Sequence, residues 1–269
     1  MPFRLDLPET FTRTLEQSDR ALVGMWLCSG SPINAEICAG SGLDWLLIDG
    51  EHAPLSLQAI QTQLQVIAAY PVTPVVRVPS GDATIIKQYL DLGAQNLLVP
   101  MVDTAEDAAA IISATRYPPE GVRGVGSALS RAARWNRVDD YLGTANSTHV
   151  SVIAQIESAE AVANAPAICR SGVDAIFIGP SDLAASMGHL GQQAHPQVVA
   201  AIHTVIAAAR EAGIPVGINA FDPAHARDYI DGGIDFILVG ADVSSLARAS
   251  EALAQTFITG DSQPQRSSY

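Results

Sequence analysis

Lysine is almost missing from this chain. Of its 15 basic residues one, Lys87, is lysine and the others are arginine. Chemistry through a Schiff-base lysine therefore has a single candidate. Lys87 lies inside a stretch with helical spacing, four residues before Asp91, the arrangement of a solvated ion pair. A Schiff-base aldolase or a pyridoxal enzyme is not expected. Cysteine is scarce as well: Cys28, Cys38 and Cys169 form no C-x-x-C and leave an odd one over. That argues against a disulfide framework and suits a reducing compartment. Positive charge is outweighed, 15 basic residues against 28 acidic, for a net charge of −13. Such a surface repels phosphate backbones and anionic lipid, so neither nucleic acid nor membrane is an expected partner. No apolar run approaches the roughly 18 residues of a membrane span, and the first residues lack the basic-then-apolar pattern of a signal peptide. The expectation is a soluble, cytoplasmic protein that acts on small molecules.

What is present is a rhythm of strand and helix. Apolar residues make up 48% of the chain and charged ones 16%, enough for one large core. Strands are predicted at about 21–27, 45–48, 74–78, 96–100, 150–156, 174–178, 215–219 and 235–239. Between them lie helices from Pro32 to about Gly40, Leu57 to Ala69, Asp82 to Leu92, Thr104 to Arg116 and His195 to Ala212, and a last helix covers Ser244 to about Phe257. A short helix is predicted within Thr10–Ser18. Residues 117–136, rich in Gly and Arg, form a loop long enough to be functional. Three segments echo one another: Gly42-Leu-Asp44, Gly172-Val-Asp174 and Gly233-Ile-Asp235, each followed by an apolar strand and a Gly turn. That is the junction a helix-to-parallel-strand repeat needs. Eight such units imply an α/β fold of the (β/α)8, TIM-type barrel class, one domain over residues 1–269 with its core at about 21–258 and a disordered tail at 259–269. The doubly wound open sheet is the alternative, but the G-x-G-x-x-G that follows its first strand is missing.

In a barrel, functional groups gather at the carboxyl ends of the strands. Those ends offer Trp26, Asp49 with His52, Arg77, Gln155 with Glu157, Asp182 and Asn219. The run Asp44-Trp-Leu-Leu-Ile-Asp-Gly-Glu-His-Ala-Pro54 delivers three ionisable side chains at the end of a buried strand. Asp49 and His52, three apart, are expected to pair, the carboxylate orienting the imidazole as a general base. Arg77 would stabilise an enolate or oxyanion, or make a structural salt bridge to Asp49 or Glu51. Glu157 and Asp182 end neighbouring strands, where two carboxylates repel unless a cation lies between them. With oxygen ligands only, that cation would be Mg²⁺, with Mn²⁺ or Co²⁺ as substitutes; the bland alternative is that Asp182 caps a helix. Gly179-Pro-Ser181-Asp182 opens a helix whose free N–H groups suit a substrate carboxylate.

These residues carry a resemblance. Leu46-Leu-Ile-Asp-Gly-Glu-His-Ala-Pro54, Val76-Arg-Val-Pro79, Asn96-Leu-Leu-Val-Pro-Met-Val102, Tyr117-Pro-Pro-Glu-Gly-Val-Arg-Gly-Val-Gly126, Gln155-Ile-Glu157 and Ile178-Gly-Pro-Ser-Asp-Leu183 are similar to the HpcH/HpaI aldolase family, in order, from about Leu22 to Phe257. The resemblance implies a metal-dependent pyruvate aldolase of the kind found in aromatic catabolism. His52 would be its base with Asp49 as partner, Arg77 would face the substrate keto oxygen, and Glu157 and Asp182 would hold the metal. It also implies carboxylate contacts from the backbone around Ser181 and Asp182, a last helix exchanged between protomers, a homo-hexamer (a trimer of dimers), and an Asp91 that approaches a neighbour's site. Two residues depart from what the resemblance leads one to expect: Ser181 stands where Ala is expected, and Asn219 where an apolar residue is expected. The rivals are a barrel lyase for acyl-CoA or phosphoenolpyruvate, and a 2-oxo acid binding protein without turnover. Arg123, in the long loop, could meet a distal carboxylate.

Overall fold

A computed structural model describes residues 5–259. The tail expected at 259–269 therefore lies, but for Thr259, outside the described residues. The chain opens with α1 (Phe11–Glu16) and β1 (Leu22–Leu27), then α2 (Pro32–Ala39), β2 (Trp45–Asp49), α3 (Leu57–Ile67), β3 (Thr73–Arg77) and α4 (Ala83–Asp91). It goes on through β4 (Asn96–Val99), α5 (Ala105–Thr115), the short α6 (Tyr141–Thr144), β5 (Ser151–Ile156), α7 (Ala159–Cys169) and β6 (Ala175–Ile178). After these come α8 (Pro180–Ser186), α9 (Pro196–Ala212), β7 (Val216–Asn219), α10 (Pro223–Asp231), β8 (Phe236–Ala241) and α11 (Asp242–Ala254). All neighbouring strands pair in parallel, and β1 closes on β8, so the sheet is a complete barrel in sequence order. This is the (β/α)8 architecture the strand rhythm implies.

Besides the single turn of α6, two helices, α7 and α10, are not among those predicted. Their caps were readable: Ser158 accepts a hydrogen bond from the Ala161 N–H, and Asp222 accepts from Ala224 and His225. Their apolar spacing was not, because nearly half of α7 is alanine with Pro166 inside it and α10 buries only Ala226. Propensity and capping outweigh periodicity in such short amphipathic stretches.

The three echoing Gly-x-Asp segments have a common geometry at the amino end of the barrel. Asp44, Asp174 and Asp235 each accept, through a side-chain oxygen, the N–H of a residue on the preceding strand: Val23 at 2.8 Å, Val152 at 2.7 Å and Val216 at 2.8 Å. Each also donates its own N–H to the carbonyl of that same residue at 2.9 Å. The preceding Gly42, Gly172 and Gly233 take φ of +89°, +99° and +83°, a region where a side chain is strained. So one motif both ends the incoming helix and sets the register of the next strand pair.

Inside the barrel, Trp45 and Phe236 meet at 5.7 Å, and Phe11 from α1 packs 5.0 Å and 5.2 Å from them. Phe11 is tied in place through its N–H to Asn96 Oδ1 at 2.7 Å. Helix α1 is thus a plug in the amino-terminal opening. The carboxyl-terminal opening is left as the mouth.

The candidate active site

The mouth holds a cavity of about 420 Å³. Its walls include Trp26, Asp49, His52, Arg77, Gln155, Gly179, Ser181, Asp182 and Asn219, nine residues singled out at the strand ends and in the β6–α8 turn. The register of β2 on β3 sets Asp49 directly opposite Arg77. Arg77 Nε donates to Asp49 Oδ1 at 2.9 Å, and Nη2 lies 2.9 Å from Oδ2, a two-point ion pair with both side chains buried. Behind the guanidinium the Trp26 ring stacks, 4.3 Å from its carbon to the ring centroid. A cation over an aromatic face in a dry setting is held electrostatically as well as sterically.

Asp49 does not orient the imidazole of His52 as expected. Its Oδ1 accepts the backbone N–H groups of Glu51 at 3.0 Å and His52 at 3.3 Å, in addition to Arg77. The turn after β2 wraps its own amides around the carboxylate, as Asp does in tight turns, and the ring is carried outward. The imidazole is exposed, and the carboxylate that Nε2 approaches is Glu51, with Oε2 at 3.9 Å. Glu51, to which the sequence assigns no role, also lies 2.9 Å from Arg77 Nη1, in a charge contact that falls outside hydrogen-bond geometry. Burial raises the pKa of Glu51, against the lowering effect of Arg77 and His52, and the negative charges of Asp49 and Asp182 raise it further. The salt bridge offered as the alternative for Arg77 is therefore present, to both Asp49 and Glu51.

Glu157, at the end of β5, is buried behind Gln155 and Gly179. Its Oε1 accepts the Met101 N–H at 2.9 Å, from a residue held at φ +53°, and its Oε2 accepts from Gln155 Nε2. Burial pushes the Glu157 carboxyl up to about 7, and the nearby Asp182 and Glu51 charges push in the same direction. A Cβ on Gly179 would stand 2.7 Å from Glu157 Oε2, so the turn has room for the carboxylate only because it is glycine. Gln155 Oε1 is buried with no hydrogen-bond partner. Among the described residues no three His, Cys, Asp or Glu side chains come together as a metal cluster. Two carboxylates in mutual repulsion and an orphaned carbonyl oxygen nonetheless suit a hard divalent cation, which takes one or two protein carboxylates and fills its sphere with water and substrate oxygens.

Asp91 is not at this mouth. It sits at the end of α4, where Oδ1 is 3.2 Å from Arg123 Nη2. Arg123, buried and stacked 4.5 Å over Tyr117, is spent in the packing of the long loop rather than free for a distal carboxylate. Lys87, on the same helix, does not take Asp91 as its partner. Residues that the strand-end rule did not reach include Cys28, Phe177, Phe221 and Asp242. Asp242 gathers the N–H groups of Cys28, Ser29 and Val243 and the Ser29 hydroxyl, tying the β1–α2 turn to the start of α11. The Asp49 and Asp242 charges add to burial at Cys28, whose thiol is pushed up to about 12.

A closed parallel barrel carries its chemistry at the carboxyl ends of its strands, and the acidic mouth with its fixed arginine lies there. The model of the HpcH/HpaI aldolase/citrate lyase family matches residues 22–249, and the chain belongs to that family. It is 52% identical over 258 residues to a hydroxypyruvate/pyruvate aldolase of Deinococcus radiodurans, covering 95% of this chain and 92% of that protein. It is likewise 52% identical over 242 residues to a 4-hydroxy-2-oxo-heptane-1,7-dioate aldolase of Shigella flexneri, covering 90% of each. Among solved structures, an HpcH/HpaI aldolase/citrate lyase family protein from Burkholderia cenocepacia superposes with a TM-score of 0.87 at 45% identity, over 91% of this chain and 97% of that one.

Proposed function

We propose that the protein is a divalent-metal-dependent (class II) aldolase that cleaves 4-hydroxy-2-oxo acids to pyruvate and an aldehyde and catalyses the condensation in reverse. The observation that carries this reading is Glu157, a buried carboxylate just beneath the mouth whose carboxyl is pushed up by burial and by the charge of the exposed Asp182, with Arg77 already engaged by Asp49 and Glu51. The names of the two relatives at 52% identity support it. Glu157 and Asp182 would hold Mg²⁺, Mn²⁺ or Co²⁺. When bound, such an ion supplies Lewis-acid polarisation of the 2-oxo group and a counter-charge for the enolate.

The chain's own groups do the rest. The first turn of α8 presents N–H groups near Ser181 and Asp182 to the substrate carboxylate. Arg77, fixed by Asp49, Glu51 and Trp26, has no freedom to reorganise as negative charge develops on the keto oxygen, the condition for electrostatic stabilisation. His52 removes the proton from the C4 hydroxyl, the C3–C4 bond breaks, and the aldehyde leaves an enolate that is protonated at C3 to give pyruvate. Glu51, close to the imidazole, stabilises its protonated form. Cytoplasmic residence belongs to the same reading, supported by three free thiols. So does a homo-hexamer with an exchanged last helix, supported by the exposed Leu246 and Leu253 of α11.

The test is pyruvate release from 4-hydroxy-2-oxo acids, followed by a coupled assay with and without EDTA. Metal-reversible loss of activity is expected. Full activity after thorough metal removal would overturn the class II assignment. Turnover confined to acyl-CoA or phosphoenolpyruvate, or binding of 2-oxo acids without turnover, would replace it with one of the two rival readings.

A further inference from the structure

Three arginines are buried among the described residues: Arg77, Arg123 and Arg131. Arg77 faces Asp49 and Glu51, and Arg123 faces Asp91. Arg131 has no such counterpart. Among the described residues neither it nor the nearby Arg134 takes part in an ion pair. A buried charge left unpaired is costly, and folded proteins as a rule give it a partner.

The Arg131 guanidinium is nonetheless held in place. Nη1 donates to the Leu92 carbonyl and Nη2 to the Leu64 carbonyl, both at 3.3 Å, where α4 and α3 end. Cations favour helix C-termini, but each such end carries only about half a charge, so the carbonyls position the group without neutralising it. A Cβ on Gly93, at φ +98°, would collide with Nη1, so the guanidinium fills a space that glycine alone leaves open. Arg134 curls back on the same turn and donates Nη1 to the Arg131 carbonyl at 2.6 Å. Burial pushes Arg131 down to about 10, the Arg134 charge pushes in the same direction, and no carboxylate offsets them. Arg131 is still protonated at neutral pH.

Both arginines line a cavity of about 310 Å³ at the amino end of the barrel, and none of its lining residues lines the mouth. Leu64, Ala68, Val72 and Pro74 give it an apolar wall. Its other charged groups are Asp6 and Glu9, both exposed, and Glu9 Oε2 accepts from Gln17 Nε2 at 2.9 Å. The cavity is thus cationic in its depth and acidic at its lip. A guanidinium fork matches a carboxylate in shape and charge. A ligand with one carboxylate can place it inside with no further charge towards the lip, whereas a second carboxylate would be turned towards Asp6 and Glu9. We infer that this cavity binds a small organic acid, its single carboxylate on Arg131 and Arg134 and a short aliphatic body along the apolar wall. The ligand supplies the counter-charge that the fold does not give Arg131. Because the site is separate from the mouth, the inference does not rest on the aldolase reading.

The experiment is calorimetric titration of the full, Mn²⁺-loaded chain with sodium butyrate, at an ionic strength held constant with chloride. One site per chain is expected, with a Kd of about 1 mM or tighter. Acetate, two methylenes shorter, should bind about tenfold more weakly. Succinate should also be weaker than butyrate, and 1-butanol, which lacks the charge, should not saturate. Arg131→Met should abolish the binding. Arg134→Gln, at a half-buried position, and Ala68→Phe, which fills the cavity from an exposed one, should each weaken butyrate by about tenfold or more. Asp182→Asn, at the mouth, should leave it unchanged. Absence of saturation in the parent at tens of millimolar would overturn the site, as would affinities within twofold of the parent in both Arg134→Gln and Ala68→Phe. Loss of binding in Asp182→Asn alone would move butyrate to the mouth and overturn it equally. Succinate binding more tightly than butyrate would overturn the preference for a single carboxylate.

Discussion

Arg77 and Asp49 hold each other by two parallel contacts of 2.9 Å across adjacent strands, with both groups almost wholly out of water. A buried pair of this kind is costly to break from one side, since the surviving charge has no solvent to turn to. Arg77→Ala is expected to lower stability by about 3–5 kcal/mol besides abolishing cleavage. Arg77→Lys should recover part of the stability but little activity, because a point ammonium cannot reproduce the fork that meets Asp49 and Glu51 together. Thermal denaturation beside pyruvate release checks both, and an Arg77→Ala protein as stable as the parent would remove the pair from its structural place.

His52 differs in kind. Its ring is exposed and supports no other side chain, so His52→Ala should leave the melting temperature within the range of ordinary surface changes. Cleavage should fall by about 10²–10⁴, the span of a positioned general base. If Glu51 assists that base, Glu51→Gln should lower kcat more than it alters KM. An unchanged kcat in both variants would send the proton elsewhere.

The contrast between those two neighbours shows what the sequence could and could not disclose. Trp45 to Ile48 as four apolar residues, then Asp49, announced a buried strand delivering a carboxylate, and β2 with Asp49 at its end is what forms. Spacing alone also placed His52 beside Asp49. It could not show that the turn's own N–H groups and Arg77 would take up the carboxylate first. Glu157 and Asp182 were visible as strand-end carboxylates. The acceptance of the Met101 N–H by Glu157 was not, since it depends on a left-handed residue in the loop after β4. Likewise Asp242 falls one residue past β8, inside what reads as a helix start, and its grip on the β1–α2 turn spans more than 200 positions of chain.

Glu157 makes stability depend on pH with a definite sign. Burial pushes its carboxyl up to about 7 in the folded protein from an ordinary 4.5, so the folded state holds the proton more tightly than the unfolded chain. Its contribution is fully present below about pH 4.5 and is lost as pH rises through about 7, for a total of about 3 kcal/mol at 1.4 kcal/mol per unit. Metal-stripped protein should thus lose melting temperature between pH 5 and 8, and Glu157→Gln should flatten that loss. Added Mn²⁺ should restore the parent and leave the variant unmoved. A pH-independent melting temperature in the stripped parent would contradict the burial of this charge.

Cys28 lines the mouth but should behave as an inert thiol. With its pKa near 12, from burial and the Asp49 and Asp242 charges, the thiolate is a minute fraction at pH 8. Native protein should therefore react slowly at Cys28 with a disulfide reagent and quickly once denatured, as peptide mass analysis would show. Rapid labelling in the native state would place Cys28 in a different environment.

The aspartates at the amino end offer a test remote from the chemistry. Asp235→Ala removes the acceptor for the Val216 N–H and should cost about 1–3 kcal/mol, while kcat/KM stays within twofold. A large change in turnover at unchanged stability would contradict a purely architectural role.

Those three aspartates bear on how such a protein changes its trade. Each ties a strand pair at the end farthest from the substrate and depends on nothing in the turns above, since its partners are main-chain atoms of the neighbouring strand and, for Asp44, also the Arg20 guanidinium at the same end. A mutation in the β7–α10 turn meets a foundation that does not notice it. Asn219 can be replaced while the hem beneath keeps every strand at its station. Novelty in the upper storey is then limited by chemistry alone, and the barrel can take up a new substrate without first learning again how to fold.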